Sequence, residues 1–179
     1  MRPLLVLAAG LALAASAASA APASNVCNLL TPRVVKEYLP GAKPYAGGAP
    51  REAGGSTCVY TRRRLSPNHA LEEKVTLYTY GGINASKKLG SPDHVFATTI
   101  KPLLHRPIRG WSARWVSDIG AGAVVLLTTR PAAGGGLGCK IHWLGAKLFY
   151  SLSVEGYGGS GASLKRGCLA LARTIARHT

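Results

Sequence analysis

Lys74, Thr76, Tyr78 and Tyr80 recur at every second position, and so do Lys140 and His142. On β-strands that spacing puts each set on one side, with Val75, Leu77 and Thr79, or Cys139, Ile141 and Trp143, on the other. If the two strands share a sheet in register, one face presents phenol, ammonium and imidazole together. Aromatic rings with cations suit an acidic or hydrogen-bonding ligand, such as a glycan or a phosphate-bearing polymer. Lys74, Tyr78, Tyr80, Lys140 and His142 are the candidate ligand-binding residues of that face, and Arg114, flanked by Trp111 and Trp115 at an adjacent groove, is the sixth candidate. A solvated face with no ligand is the plainer explanation of the same alternation.

Catalytic sets are harder to assemble. The chain has His69, His94, His105, His142 and His178, but no serine in a G-x-S-x-G elbow. Gly158-Gly159-Ser160-Gly161 reads as a link before a helix. Glu72 and Glu73 are neighbours that point to opposite faces of a strand, unlike the facing carboxylates that glycoside cleavage needs. Asp93-His94 is too small for a ligand set, and Ser91 with Asp93 reads better as a helix start. Gly134-Gly135-Gly136-Leu137-Gly138 lacks the lysine and spacing of a phosphate loop. No catalytic residue, metal site or cofactor is expected.

The compartment is better marked. Met1–Ala20 has the form of a secretory signal: Arg2, an apolar run from Leu4 to Ala15, then Ala18-Ser19-Ala20 before the expected cut. The run is short for a membrane anchor, and the remainder has no segment able to span a bilayer. A secreted or periplasmic location follows, with residues 21–179 as one α+β domain. Cys27, Cys58, Cys139 and Cys168 all lie in that part. Four cysteines in an exported chain imply disulfides, with three pairings on paper. Cys27–Cys58 and Cys139–Cys168 are preferred, each closing a loop of about thirty residues. No C-x-x-C pair supports a metal or redox motif.

The chain carries 22 Lys+Arg against 7 Asp+Glu, a formal charge of +15 that stays near +14 without the leader. Outside the cytoplasm that favours an anionic envelope polymer, a lipid headgroup or a partner protein. Nucleic acid is disfavoured, because export removes it and no basic helix or aromatic nucleic-acid motif occurs.

The elements that must position these residues follow from pattern. Thr31-Pro32 starts a helix that Pro40-Gly41 ends, and residues 40–56 read as a loop. Strands are predicted over 56–62, 74–80 and 123–129, and as a hairpin over 139–144 and 147–154. Ala85–Leu89 reads as a helical turn. A middle helix starts near Ser91-Pro92, with Val95, Phe96, Thr99 and Ile100 on its buried side and Pro102 and Pro107 limiting it. Ser163–His178 is the strongest helix. The order argues for an α+β fold: an antiparallel sheet packed against amino-terminal, middle and carboxyl-terminal helices, stapled by the two disulfides.

Three segments carry a family resemblance. Cys27-Asn28-Leu29-Leu30-Thr31 with Val34 and Leu39, then Ser56-Thr57-Cys58-Val59-Tyr60, then Val116–Ala123 resemble a domain of unknown function in exported proteins and lipoproteins of actinobacteria, related to envelope sensor-type domains. The closing helix at Leu164–Ala176 fits it too. The resemblance implies an extracytoplasmic module that binds something, and it supplies no reaction. Ser24-Asn25-Val26 before Cys27 is not a lipobox, so soluble export is expected. The function expected is therefore a non-catalytic binding module for an anionic envelope component or partner protein. A small secreted hydrolase and an extracellular nucleic-acid binder are the alternatives.

Overall fold

A computed structural model describes residues 26–45, 56–66, 69–80, 90–130 and 136–179. The leader, residues 67–68, the predicted helical turn at 85–89 and the first two glycines of the run at 134–138 lie outside the described residues. Seven strands form one sheet: β1 (Lys43–Pro44), β2 (Ser56–Ser66), β3 (His69–Tyr80), β4 (Trp111–Val116), β5 (Ala123–Thr128), β6 (Leu137–Leu144) and β7 (Phe149–Tyr157). Their order is β1-β2-β3-β7-β6-β5-β4, and every neighbouring pair runs antiparallel. The chain builds β1 to β3 at one side, crosses to the opposite edge, and returns as a meander until β7 closes against β3.

Three helical segments hold the two faces. Helix α1 (Pro32–Tyr38) begins at Thr31, whose hydroxyl accepts from Val34 N–H at 3.3 Å. The middle segment α2 is a short α-turn, Pro92–Val95, that widens to a π-turn at Phe96–Ile100 and tightens to a 3₁₀-turn at Lys101–Leu104. Helix α3 (Gly161–Ala176) is capped by Ser160, which accepts from Ser163 N–H at 3.2 Å. The predicted antiparallel α+β plan is present, with helices in all three regions.

Alternation along the strands splits the core in two. On one face Cys58, Val75, Leu77, Val125, Ile141, Trp143 and Leu152 pack beneath Leu164, Leu171 and Ile175 of α3 and Val35 of α1. On the other, Tyr80, Val124, Leu126 and Phe149 pack beneath Phe96 and Ile100 of α2. Thr99, expected on the buried side of α2, is exposed. Both preferred disulfides are formed. Cys27–Cys58 ties the turn before α1 to β2, and Cys139–Cys168 ties β6 to α3.

Several boundaries differ from the sequence reading, among them the last hairpin, whose strands run over Leu137–Leu144 and Phe149–Tyr157 instead of 139–144 and 147–154. The first hairpin is longer, because Arg62 to Ser66 pairs with His69 to Glu73 beyond the alternating apolar stretch. Lys43–Pro44 pairs with Tyr60 and Thr61 inside the expected loop. Gly110–Ile119, left unassigned between its two tryptophans, contains the edge strand β4. Its exposed positions dilute the hydrophobic period that would reveal it. Helix α3 begins two residues earlier than predicted, set by the Ser160 cap.

Candidate functional site

Register brings five of the six candidates onto one face. Tyr78 lies opposite Ser151, which lies opposite His142. In the next row Thr76 faces Ser153 and Ser153 faces Lys140. Lys74 faces Glu155, and Tyr80 faces Phe149. Arg114 goes elsewhere. It pairs with Val125, whose side chain belongs to the α1–α3 core, so Arg114 sits on the opposite face from Trp111 and Trp115. Its Nε is buried there without a hydrogen-bond partner.

Helix α2 covers only part of the shared face, and the candidates divide accordingly. Under it, Tyr80 is buried and its hydroxyl donates to the Gly90 carbonyl at 3.3 Å. The His142 ring stacks on Phe149 with centroids 5.8 Å apart and planes 10° from parallel. Nδ1 of His142 is buried with no hydrogen-bond partner. Loss of hydration, reinforced by the Lys140 charge, lowers its pKa to about 4. At neutral pH this imidazole is uncharged, so His142 contributes shape and one polar edge to the face, not positive charge. Ser151 stands across from it, and no Ser151–His142 hydrogen bond forms.

Beyond α2 the face is half-exposed and polar. Lys74, Thr76, Tyr78, Lys140, Ser151, Ser153 and Glu155 are each partly open to solvent. Lys140 Nζ lies 3.4 Å from a Glu155 oxygen and 5.5 Å from the centroid of the Trp111 ring. Ser153 Oγ donates to Glu155 at 2.9 Å. The face therefore holds two ammonium groups, a phenol and several hydroxyls beside two carboxylates, Glu155 next to Lys140 and the exposed Glu72 two residues before Lys74 on the same side of β3. The arrangement can donate many hydrogen bonds to an anionic or polyhydroxyl ligand, and Trp111 gives it one aromatic wall. Among the described residues no cluster of His, Cys, Asp and Glu could hold a metal ion.

Two features escaped the sequence reading. Glu73, fully buried, receives Nε of Arg62 at 2.6 Å and also its Nη2, while Gly158 N–H donates to the other oxygen at 3.1 Å. Arg62 in turn donates to the Pro40 carbonyl at 2.8 Å. The clamp joins β2, β3, the end of α1 and the entry to α3. Its only signal was the strand parity that turns Glu73 away from Glu72. The second feature is a cleft of about 350 Å³ between α1, α3 and the sheet, lined by Tyr38, Leu39, Val75, Tyr157, Ser163 and Gly167 among others. Tyr157 Oη and Ser163 Oγ lie 2.9 Å apart at its wall.

No protein-family model, curated protein or solved structure matches this chain. Two disulfides are formed, and among the described residues no helix is long and apolar enough to cross a membrane.

Proposed function

We propose that the protein is an exported, non-catalytic binding module whose open sheet face takes an anionic polymer of the cell envelope. The observation that carries this reading is the convergence of Lys74, Lys140, Tyr78 and the hydroxyls of Thr76, Ser151 and Ser153 on three adjacent strands. A chain of net charge +15 adds a long-range field that concentrates anions around that face. The signal-like leader, the paired cysteines and the resemblance to exported actinobacterial domains support the location.

Poly(glycerol phosphate), titrated against the protein by calorimetry at several ionic strengths, tests the reading. Binding that weakens steeply with salt, and that drops further in Lys74→Gln/Lys140→Gln, is the expected result. Equal binding by that variant and the wild type would remove the sheet face from the account. No binding even at low salt would remove the polymer.

A further inference from the structure

Between Asp93 and Asp118 the chain runs for 24 residues without a carboxylate, while carrying Lys101, Arg106, Arg109 and Arg114. Asp118 itself is engaged, accepting from Arg173 Nε at 2.8 Å. Within this stretch Lys101, in the last turn of α2, and His105, Arg106 and Arg109, in the loop after it, are exposed. Two large apolar side chains also stand in water: Ile108 in that loop at 52% exposure and Trp115 on β4 at 43%.

The segment is ordered, not a loose tail. His105 and Arg106 N–H both donate to the Pro102 carbonyl, at 3.1 and 3.0 Å. Trp111 N–H donates to Ile108 at 2.9 Å, and Thr129 holds the Gly110 carbonyl through its N–H at 2.9 Å and its hydroxyl at 3.1 Å. The Lys101 ammonium lies 6.0 Å from the centroid of Trp115, so the two ends of the segment meet. Trp115 also packs edge-on against Phe96, with centroids 6.3 Å apart. An open groove of about 470 Å³, lined by Ala97, Pro102 and Leu104 together with Lys101, His105 and Arg106, runs along it.

We infer that the surface from Lys101 to Trp115 docks the protein on an anionic lipid bilayer. The charge matches lipid phosphates, and the two exposed apolar side chains decide between an anionic bilayer and a soluble polyanion. A hydrophilic polymer neutralises the cations and leaves Ile108 and Trp115 wet. The boundary between headgroups and acyl chains accepts all three kinds of side chain, with tryptophan at headgroup level, an aliphatic tip below it and cations at the phosphates. Trp111, whose ring also walls the polar half of the sheet beside Lys140, is the one residue of this segment that the polar face uses; the cations and apolar tips argued here, Lys101, Arg106, Ile108, Arg109 and Trp115, are not part of it.

The test uses purified protein with vesicles of phosphatidylglycerol and phosphatidylcholine, and with vesicles of phosphatidylcholine alone. Every variant carries the same amino terminus and is first shown to unfold at the wild-type temperature. Wild type is expected to sediment with the anionic vesicles and not with the neutral ones, with tryptophan emission shifting to the blue. Trp115→Phe removes that shift. Arg106→Ala/Arg109→Ala weakens anionic-vesicle binding about thirtyfold. Ile108→Ser weakens it about fivefold, and Lys74→Gln/Lys140→Gln leaves it unchanged. The inference is overturned if anionic vesicles fail to bind, or if they bind the loop variants as well as wild type. It is equally overturned if an acidic protein or soluble poly(glycerol phosphate) competes fully while Ile108→Ser has no effect, which would make the loop a contact for a soluble partner.

Discussion

Removing either partner of the Arg62–Glu73 clamp should cost unequal amounts, because the two side chains differ in their access to water. Glu73 is fully buried, whereas the Arg62 side chain keeps 24% of its surface exposed. Arg62→Met leaves a buried carboxylate with only Gly158 N–H to stabilise it. Stranding a buried charge in this way costs about 3–5 kcal/mol. Glu73→Leu leaves a guanidinium that still donates to the Pro40 carbonyl and can turn toward solvent. That loss, together with the orphaned Gly158 N–H, should come to about 2 kcal/mol. The double variant Arg62→Met/Glu73→Leu removes both charges and should be more stable than Arg62→Met alone by about 2 kcal/mol. Urea unfolding of the oxidised protein, followed by tryptophan fluorescence, gives all four stabilities. For a chain of this size each kcal/mol also moves the thermal midpoint by about 2–4 °C. The reasoning fails if Glu73→Leu proves the more costly single change, or if the double variant falls at the sum of the two.

Two further outcomes follow from burial and connectivity. The folded pKa of His142, about 4, lies below the ordinary histidine value, so the unfolded chain binds the extra proton first. The contribution of a neutral His142 is therefore fully present above pH 6.5 and is lost between there and pH 4, by up to about 3 kcal/mol. His142→Phe should flatten that part of the stability profile, and parallel profiles for the two proteins between pH 7 and 4.5 would refute the assignment. Each disulfide closes a loop of similar length, with separations of 31 and 29 residues, and should contribute about 3–4 kcal/mol. Removing Cys139–Cys168 as a Cys139→Ala/Cys168→Ala pair should cost more than removing Cys27–Cys58 the same way, because α3 carries more of the core than the turn at Val26–Asn28. Denaturation midpoints of the two pairs decide the order.

The parts of the fold legible in the sequence were those where one physical signal dominated. Alternation identified the faces of β3 and β6, because Val75 and Leu77 on one strand and Cys139, Ile141 and Trp143 on the other put their buried apolar side chains on one side. Cap chemistry located α1, since Thr31 satisfies an amide group whichever way the helix later packs, whereas α3 was legible from its apolar period and its Ser160 cap was not. The disulfides were legible from compartment and spacing. Strand β4 was not, since an edge strand has one neighbour and needs no continuous apolar face. Arg114 was misplaced for the same reason. Its tryptophan neighbours drew it into their groove in the reading, but one residue of parity puts it on the other side of the sheet.

The functional division of the polar face was illegible on different grounds. Nothing in Lys74 to Tyr80 says where a distant segment will cross. Because β4 starts at the edge farthest from β3, the connection between them must traverse the sheet, and α2 does so over β4, β5 and β6. That crossing buries Tyr80 and dehydrates His142, while Lys74, Tyr78 and Lys140 stay partly open beyond it. One topological choice therefore does two things. It narrows the open polar face to its ammonium, hydroxyl and carboxylate groups. It also lifts the acid-free loop that follows α2 outward, where Arg106, Ile108 and Arg109 meet solvent. Both proposed contacts thus depend on the same crossover. Variants that loosen α2, such as Phe96→Ala, should disturb the two together, whereas the surface variants named above separate them.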